Sequence, residues 1–206
     1  MCSKNFLVLF LFCLAVNIPA QTKSVTPPWF VQTYGFVARY HSALNYETGA
    51  GVGLNVGHSI HKKWLSFAVG FEYTRATQEL QLVNGLYETH ADLYQGLFAL
   101  RGNWSIKKRV ATVFGSLLGG ALFFRPQALT IDAGTLGKIM LRPNSETKFI
   151  AAREGGFAFH LGESVAILFS IKQNFSRFAD NQIGLVQPQN KWRPYWNYAT
   201  GLSYYF

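Results

Sequence analysis

Five charged side chains interrupt stretches that are otherwise apolar or built of small residues: Arg39, Glu72, Arg101, Arg153 and Lys172. With a period of two, Arg39, Glu72, Arg101 and Lys172 fall on the smaller, more polar face of their segments. One carboxylate among several bases in a confined interior would form an ion-pair network, because an unpaired buried charge is costly. Arg153 is followed directly by Glu154, and strict alternation would put one of the two on an apolar face. A bulge is expected there, with Arg153 joining the network. The functional alternative is a selective pore lined by basic residues.

Other reactive residues support no catalytic site. A serine and its activating histidine on one strand face require a spacing of two. His41-Ser42 and His58-Ser59 are adjacent, and Asn174-Phe-Ser176 has Asn where the base would stand. His58 and His61 are three apart and make a poor metal pair, while His90 and Asp92 share a face as loop polarity. No glycine-rich loop opens a helix to cradle a phosphate. The expectation is no enzyme, no cofactor and no metal.

These charges need strands to position them. Leu65, Phe67, Val69, Phe71 and Tyr73 alternate with Ser66, Ala68, Gly70, Glu72 and Thr74, a period no helix has. Similar alternation places strands at about 29–41, with Tyr34, Phe36 and Tyr40 opposing Thr33, Val37 and Arg39, and at 50–60. Others follow at 89–105, 110–124, 147–160, 164–176 and 195–206. The fifth is apolar on both faces, which leaves its register open. Short turns at His61–Lys63, Ile106–Arg109 and Leu161–Glu163 alternate with longer loops at His41–Gly49, Arg75–Glu88, Arg125–Glu146 and Arg177–Pro194.

That alternation is the signature of an eight-stranded antiparallel up-and-down transmembrane β-barrel with both termini in the periplasm. Trp29, Trp64 and Trp104 fall at inferred periplasmic strand ends, and Trp192 and Trp196 flank the outer end of the last strand. An amphipathic ring is favoured at such interfaces. A soluble, ligand-binding barrel of lipocalin type would turn the apolar face inward. The Gly, Ala and Ser of the opposite face suit a narrow lumen better, and a small barrel's interior is filled by side chains. The closing residues, Trp196 to Phe206, resemble the last strand of bacterial outer-membrane barrels, whose terminal Phe the barrel assembly machinery recognises. That resemblance implies the outer membrane as location, with its lipids and the assembly machinery as partners.

The amino terminus fits export. Lys4 precedes an apolar run from Phe6 to Val16, too short for a transmembrane helix, and Asn17-Ile-Pro-Ala20 offers a cleavage point. Residues 1–20 therefore read as a signal peptide, 21–28 as a periplasmic lead-in and 29–206 as the barrel. Cys2 and Cys13 would leave with the leader, so the mature chain would have no disulfide or thiol chemistry. It would keep 18 basic against 10 acidic residues. The bases are dispersed on an exported chain, so no direct nucleic-acid binding is expected.

From Phe71 onward a more specific pattern runs in order. Glu72-Tyr-Thr74, Tyr87-Glu-Thr89 and Gly96 precede the basic turn Lys107-Lys-Arg109 and Leu118-Gly-Gly-Ala121. Asp132-Ala-Gly134, Gly137-Lys-Ile139, Lys148-Phe-Ile150 and Glu154-Gly-Gly156 follow, and the chain ends Gly201-Leu-Ser-Tyr-Tyr-Phe206. In these residues the chain resembles the TraO family of conjugative-transposon proteins, departing from it at Arg125-Pro-Gln127. The resemblance implies a non-enzymatic role in conjugative DNA transfer with other envelope proteins. The alternatives are a general surface or structural barrel acting through its outer loops, and an outer-membrane lipid A deacylase.

Overall fold

The computed structural model describes residues 29–40, 46–61, 64–82, 85–107, 110–132, 137–141, 144–177 and 192–206. The expected signal peptide and lead-in lie outside these residues, as does His41-Ser42. Every regular element among them is a strand: β1 (Trp29–Arg39), β2 (Tyr46–His61), β3 (Leu65–Leu82), β4 (Gly85–Lys107), β5 (Ala111–Pro126), β6 (Leu129–Asp132), β7 (Lys138–Leu141), β8 (Glu146–His160), β9 (Val165–Arg177) and β10 (Trp192–Tyr205). Eight of them close into a barrel in the order β1-β10-β9-β8-β5-β4-β3-β2, and β6 and β7 pair separately as a hairpin. The closing seam runs from Phe30↔Tyr205 to Arg39↔Trp196. Beyond it the Phe206 N–H donates to the Trp29 carbonyl at 3.1 Å. Closure removes both sheet edges and with them the unpaired backbone groups an edge would expose.

Alternation sets the two surfaces. Val52, Leu54 and Val56 of β2, Phe67, Val69 and Phe71 of β3, Phe98 and Leu100 of β4, Phe157 and Phe159 of β8, and Phe169 and Ile171 of β9 all lie exposed on the outside. The inside buries Gln32, Ser66, Glu72, Gln95, Arg101, Ser116, Lys172, Asn174 and Asn197. Such a continuous apolar belt far exceeds what a monomer leaves open to water, and its polarity is that of a lipid-facing barrel. Trp29, Trp64, Trp104 and Phe206 are exposed at the turn end, and Trp196 is exposed toward the loop end. Trp192 begins β10, and its side chain is outside what the structure describes.

Four expectations change. First, β1 is turned over: Phe30, Gln32, Phe36, Ala38 and Tyr40 are buried inside, and Val37 and Arg39 are exposed outside. The cause is β2, whose inward Gly51, Gly53 and Gly57 leave space that the rings of β1 occupy. A Cβ at these glycines would overlap the rings of Phe36, Tyr34 and Phe30 respectively. Arg39 therefore does not face the lumen. Second, no bulge occurs at Arg153-Glu154, because both ladders of β8 run through it without a register shift. Strict alternation puts Glu154 inside and Arg153 outside.

Third, the expected loop Arg75–Glu88 is largely paired strand, with the β3–β4 ladder continuing to Leu82↔Gly85. The loop after β5 likewise contains the β6–β7 hairpin. Fourth, β5 has a defined register, with Phe114, Ser116 and Leu122 buried inward and Leu117 and Phe123 exposed outward.

Paired residues followed around the wall from Arg39 run Trp196, Gln173, Arg153, Leu117, Leu100, Phe67 and His58. The row then meets β1 again at Trp29, far toward the turn end from where it left. This stagger fixes the strand tilt and, with eight strands, a lumen narrow enough for side chains to fill.

Candidate functional site

The lumen holds two charge clusters at different depths. Nearer the turn end, the Arg101 guanidinium donates to Ser116 Oγ at 3.0 Å, Gln32 Oε1 at 2.8 Å and Glu154 Oε2 at 3.1 Å. It also lies 4.3 Å from the ring centre of Phe114. These residues come from β1, β4, β5 and β8, so one side chain ties four strands together. A planar fork with several donors suits this task in a way lysine could not.

Nearer the loop end, Lys172 of β9 bonds Glu72 Oε1 of β3 across the barrel. The Tyr34 hydroxyl donates to the same Glu72 oxygen at 2.7 Å and lies 3.3 Å from Asn55 Oδ1. Around this pair, Glu72 Oε2, Thr74 Oγ1, Gln95 Oε1 and the side-chain amides of Asn174 and Asn197 have no hydrogen-bond partner among the described residues. Buried groups of this kind are those that ordered water satisfies. Above them, Gln95 Nε2 donates to the Tyr195 hydroxyl at 3.0 Å, and Tyr195 stacks on Tyr40 with ring centres 5.1 Å apart.

Two buried bases are thus matched by two buried acids, which does not make a basic pore. Phe30, Phe36, Tyr40, Phe114 and Tyr195, all buried, occupy the space between the walls. A cavity of about 10 Å³ between Gln32, Tyr34, Asn55, Arg101 and Glu154 has room for a single water.

Of the five charges singled out in the sequence, Glu72, Arg101 and Lys172 lie inside the barrel, Glu72 paired with Lys172 and Arg101 with Glu154. Arg39 and Arg153 lie outside it, where Arg153 Nε donates to Gln173 Oε1 at 2.8 Å. Glu154 was missed as an inward group, although unbroken alternation through β8 would have found it. Tyr34 and Gln32 were missed with the face of β1. Replacing Glu72 with Gln removes the charge facing Lys172 and is expected to lower stability by about 1–3 kcal/mol. Urea titration of the detergent-refolded protein would measure this, and an unchanged midpoint would argue against the network.

Among the described residues, the remaining candidates are each held in other contacts or turned inward. Asn174 and Ser176 are both buried inward, and Ser176 Oγ donates to the Phe149 carbonyl at 3.1 Å, away from any lipid. His58 packs its ring against Trp29 with centroids 4.7 Å apart. Asp92 accepts from Arg75 Nε at 3.0 Å, and His90 Nδ1 lies 3.3 Å from Thr77 Oγ1.

No protein-family model and no curated protein matches the chain at a level that carries weight. Solved structures do. The chain is similar to Neisserial surface protein A, with a TM-score of 0.58 and 17% identity, over 89% of this chain and 100% of that one. It is also similar to the outer membrane protein OprG of Pseudomonas aeruginosa, with a TM-score of 0.53 and 11% identity, over 88% of this chain and 97% of that one. At these identities the likeness is one of fold: the small eight-stranded barrel of outer-membrane proteins.

Proposed function

We propose that this protein is a non-enzymatic β-barrel of the bacterial outer membrane, with both termini periplasmic, serving a conjugative DNA transfer system. The observation that carries the membrane reading is the belt of exposed Val, Leu, Ile and Phe around a closed wall with polar groups inside. The transfer role draws its support from the ordered TraO-like residues. Glu72, Gly120 and Glu154 of that pattern fall in the barrel wall and lumen, where they serve architecture. Gly137-Lys-Ile139 falls on the β6–β7 hairpin, where Ile139 and Met140 are exposed. Exposed apolar residues at the end of a rigid scaffold suit contact with another envelope protein.

Excising the β6–β7 hairpin, residues 129–141, is expected to reduce transfer frequency at least tenfold in a mating assay. The barrel itself should keep its heat-modifiable gel migration in the outer-membrane fraction. Normal transfer by a correctly inserted variant would reject the hairpin as the contact. A barrel whose complete removal leaves transfer unchanged would instead be a general surface protein acting through its loops, the second reading. For the lipid A deacylase reading, Asn174 and Ser176 both face inward and so offer no serine–base pair to lipid.

A further inference from the structure

On three neighbouring strands the outer face changes from aromatic to polar at one paired row, Arg75–Asp92–Arg125. Toward the loop end, the outward residues of β3 run Phe71, Tyr73, Arg75, Thr77. Those of β4 run Tyr94, Asp92, His90, and those of β5 run Phe123, Arg125, Gln127. On β1 the outward Val37 is followed by Arg39, which pairs with the exposed Thr48 of β2. The stagger of the wall sets the levels. The row that leaves β1 at Trp29 through β2 rejoins it at Arg39, so a row climbs about one and a quarter residues per strand in that direction. Arg75 pairs through Ala50 with Val37, which brings it level with Arg39 to within about half a residue. Arg125 stands roughly 6 Å higher than Arg75, on a strand where the apolar belt also reaches higher, to Phe123. Arg153 does not belong with them, because the exposed Phe149 on its loop-end side leaves it within the belt.

Three guanidiniums thus stand at the margin on alternate strands, with one carboxylate among them. Asp92 is already committed: it accepts from Arg75 Nε at 3.0 Å and from the Tyr73 hydroxyl at 2.7 Å. Arg39 and Arg125 are exposed and have no side-chain partner among the described residues. Glu88, the next described outward acid on β4, stands four residues further toward the loop end, beside His90. We propose that Arg39, Arg75 and Arg125 form a binding site for the phosphates of an outer-leaflet glycolipid. This rests on the membrane reading above, which places the loop end in the outer leaflet. The Cα atoms of neighbouring arginines are roughly 10–12 Å apart along the wall, a width that fits a lipid carrying two phosphates better than one carrying a single phosphate. Their spread in height is comparable to the depth of one headgroup layer, about 5–7 Å. A guanidinium offers a flat fork that grips a phosphate through two parallel hydrogen bonds, and Asp92 leaves the Arg75 Nη1 donors uncommitted. Beneath the arginines lies an aromatic shelf on which the lipid's apolar part can rest. The Tyr94 ring is 5.2 Å from that of Tyr73, 6.2 Å from Phe123 and 6.4 Å from Phe71, centre to centre.

The test is native mass spectrometry of the refolded barrel in a neutral detergent, titrated with bisphosphorylated lipid A or the same lipid with its phosphates removed. The wild-type barrel should bind the phosphorylated form about tenfold tighter or more. Arg39→Gln/Arg125→Gln should abolish that preference while retaining heat-modifiable migration. Arg75 stays in place in this variant, since removing it would leave Asp92 without its cation. Arg153→Gln, which removes an outward arginine from within the belt, should leave the preference intact. Equal binding of both lipids by the wild type would overturn the proposal, as would an undiminished preference in the folded double variant. Loss of preference in Arg153→Gln as well would reduce the effect to overall charge and overturn it too. Failure of the wild type to fold in detergent at all would sink the membrane reading, a result plainly different from folding without lipid selectivity.

Discussion

Replacing Glu154 with Leu is expected to destabilise the barrel by about 3–5 kcal/mol, the range seen when one partner of a buried ion pair is removed. The loss exceeds that expected at Glu72 for a chemical reason. Glutamine at 72 still offers Lys172 a neutral oxygen, whereas leucine at 154 offers the Arg101 guanidinium no acceptor at all. Arg101 would keep its full charge, and the neutral oxygens of Gln32 and Ser116 would be its only acceptors. The compensating double change, Arg101→Met with Glu154→Leu, should recover most of the loss, because a well-packed apolar replacement of a buried pair is often neutral. Urea titrations of the three variants in lipid vesicles would decide it. If Glu154→Leu proved no worse than Glu72→Gln, the hub role given to Arg101 would be wrong.

Gly120→Ala should cost at least as much as ordinary overpacking, about 1–3 kcal/mol, and is expected to impair barrel assembly. A Cβ at this position would overlap the carbonyl oxygen of Gly96 on the neighbouring strand. That atom belongs to backbone held in the β4–β5 ladder, where Leu97 pairs with Gly120. No rotamer change can relieve the overlap, so the seam itself must open. Gly96→Ala provides the control, since a Cβ there meets nothing within 4 Å. The two substitutions add the same methyl group to directly neighbouring strands, yet one should fold poorly and the other normally. Comparable folded yields, read by heat-modifiable migration, would show that the strands are not so closely apposed.

The parts of the fold legible in the sequence were those set by period and by spacing of turns. Strands such as β3, with large residues strictly alternating with small ones, declare both faces at once. β1 does not, because it carries Tyr34, Phe36 and Tyr40 on one face and Thr33, Val37 and Arg39 on the other, and either could meet lipid by size alone. The answer lay on the next strand, in Gly51, Gly53 and Gly57, and is visible only when register pairs glycine with ring. At Arg153-Glu154 the error came from distrusting alternation. An arginine was assumed intolerable outside, yet Arg153 stands there with its Nε donating to Gln173 Oε1. The hairpin of β6 and β7 was hidden by its shortness, four residues a side, which offers too few alternations to read.

The stagger of the closed wall carries one more consequence, a matter of parity. Alternation gives every residue one of two states, inward or outward, and a sheet that joins itself must return to the state from which it began. The row leaving β1 at Arg39 and returning at Trp29 does so, since both residues face outward. A single residue inserted within a wall strand would break that agreement and bring inward residues onto the outer face beyond it, unless a bulge absorbed it, as the register shifts at Ser59/His61 and Ser105/Lys107 do near the turn end. Two residues would restore it, at a changed tilt and girth. Length changes in this protein are therefore expected in even steps within the wall, and in any number only in the turns and loops.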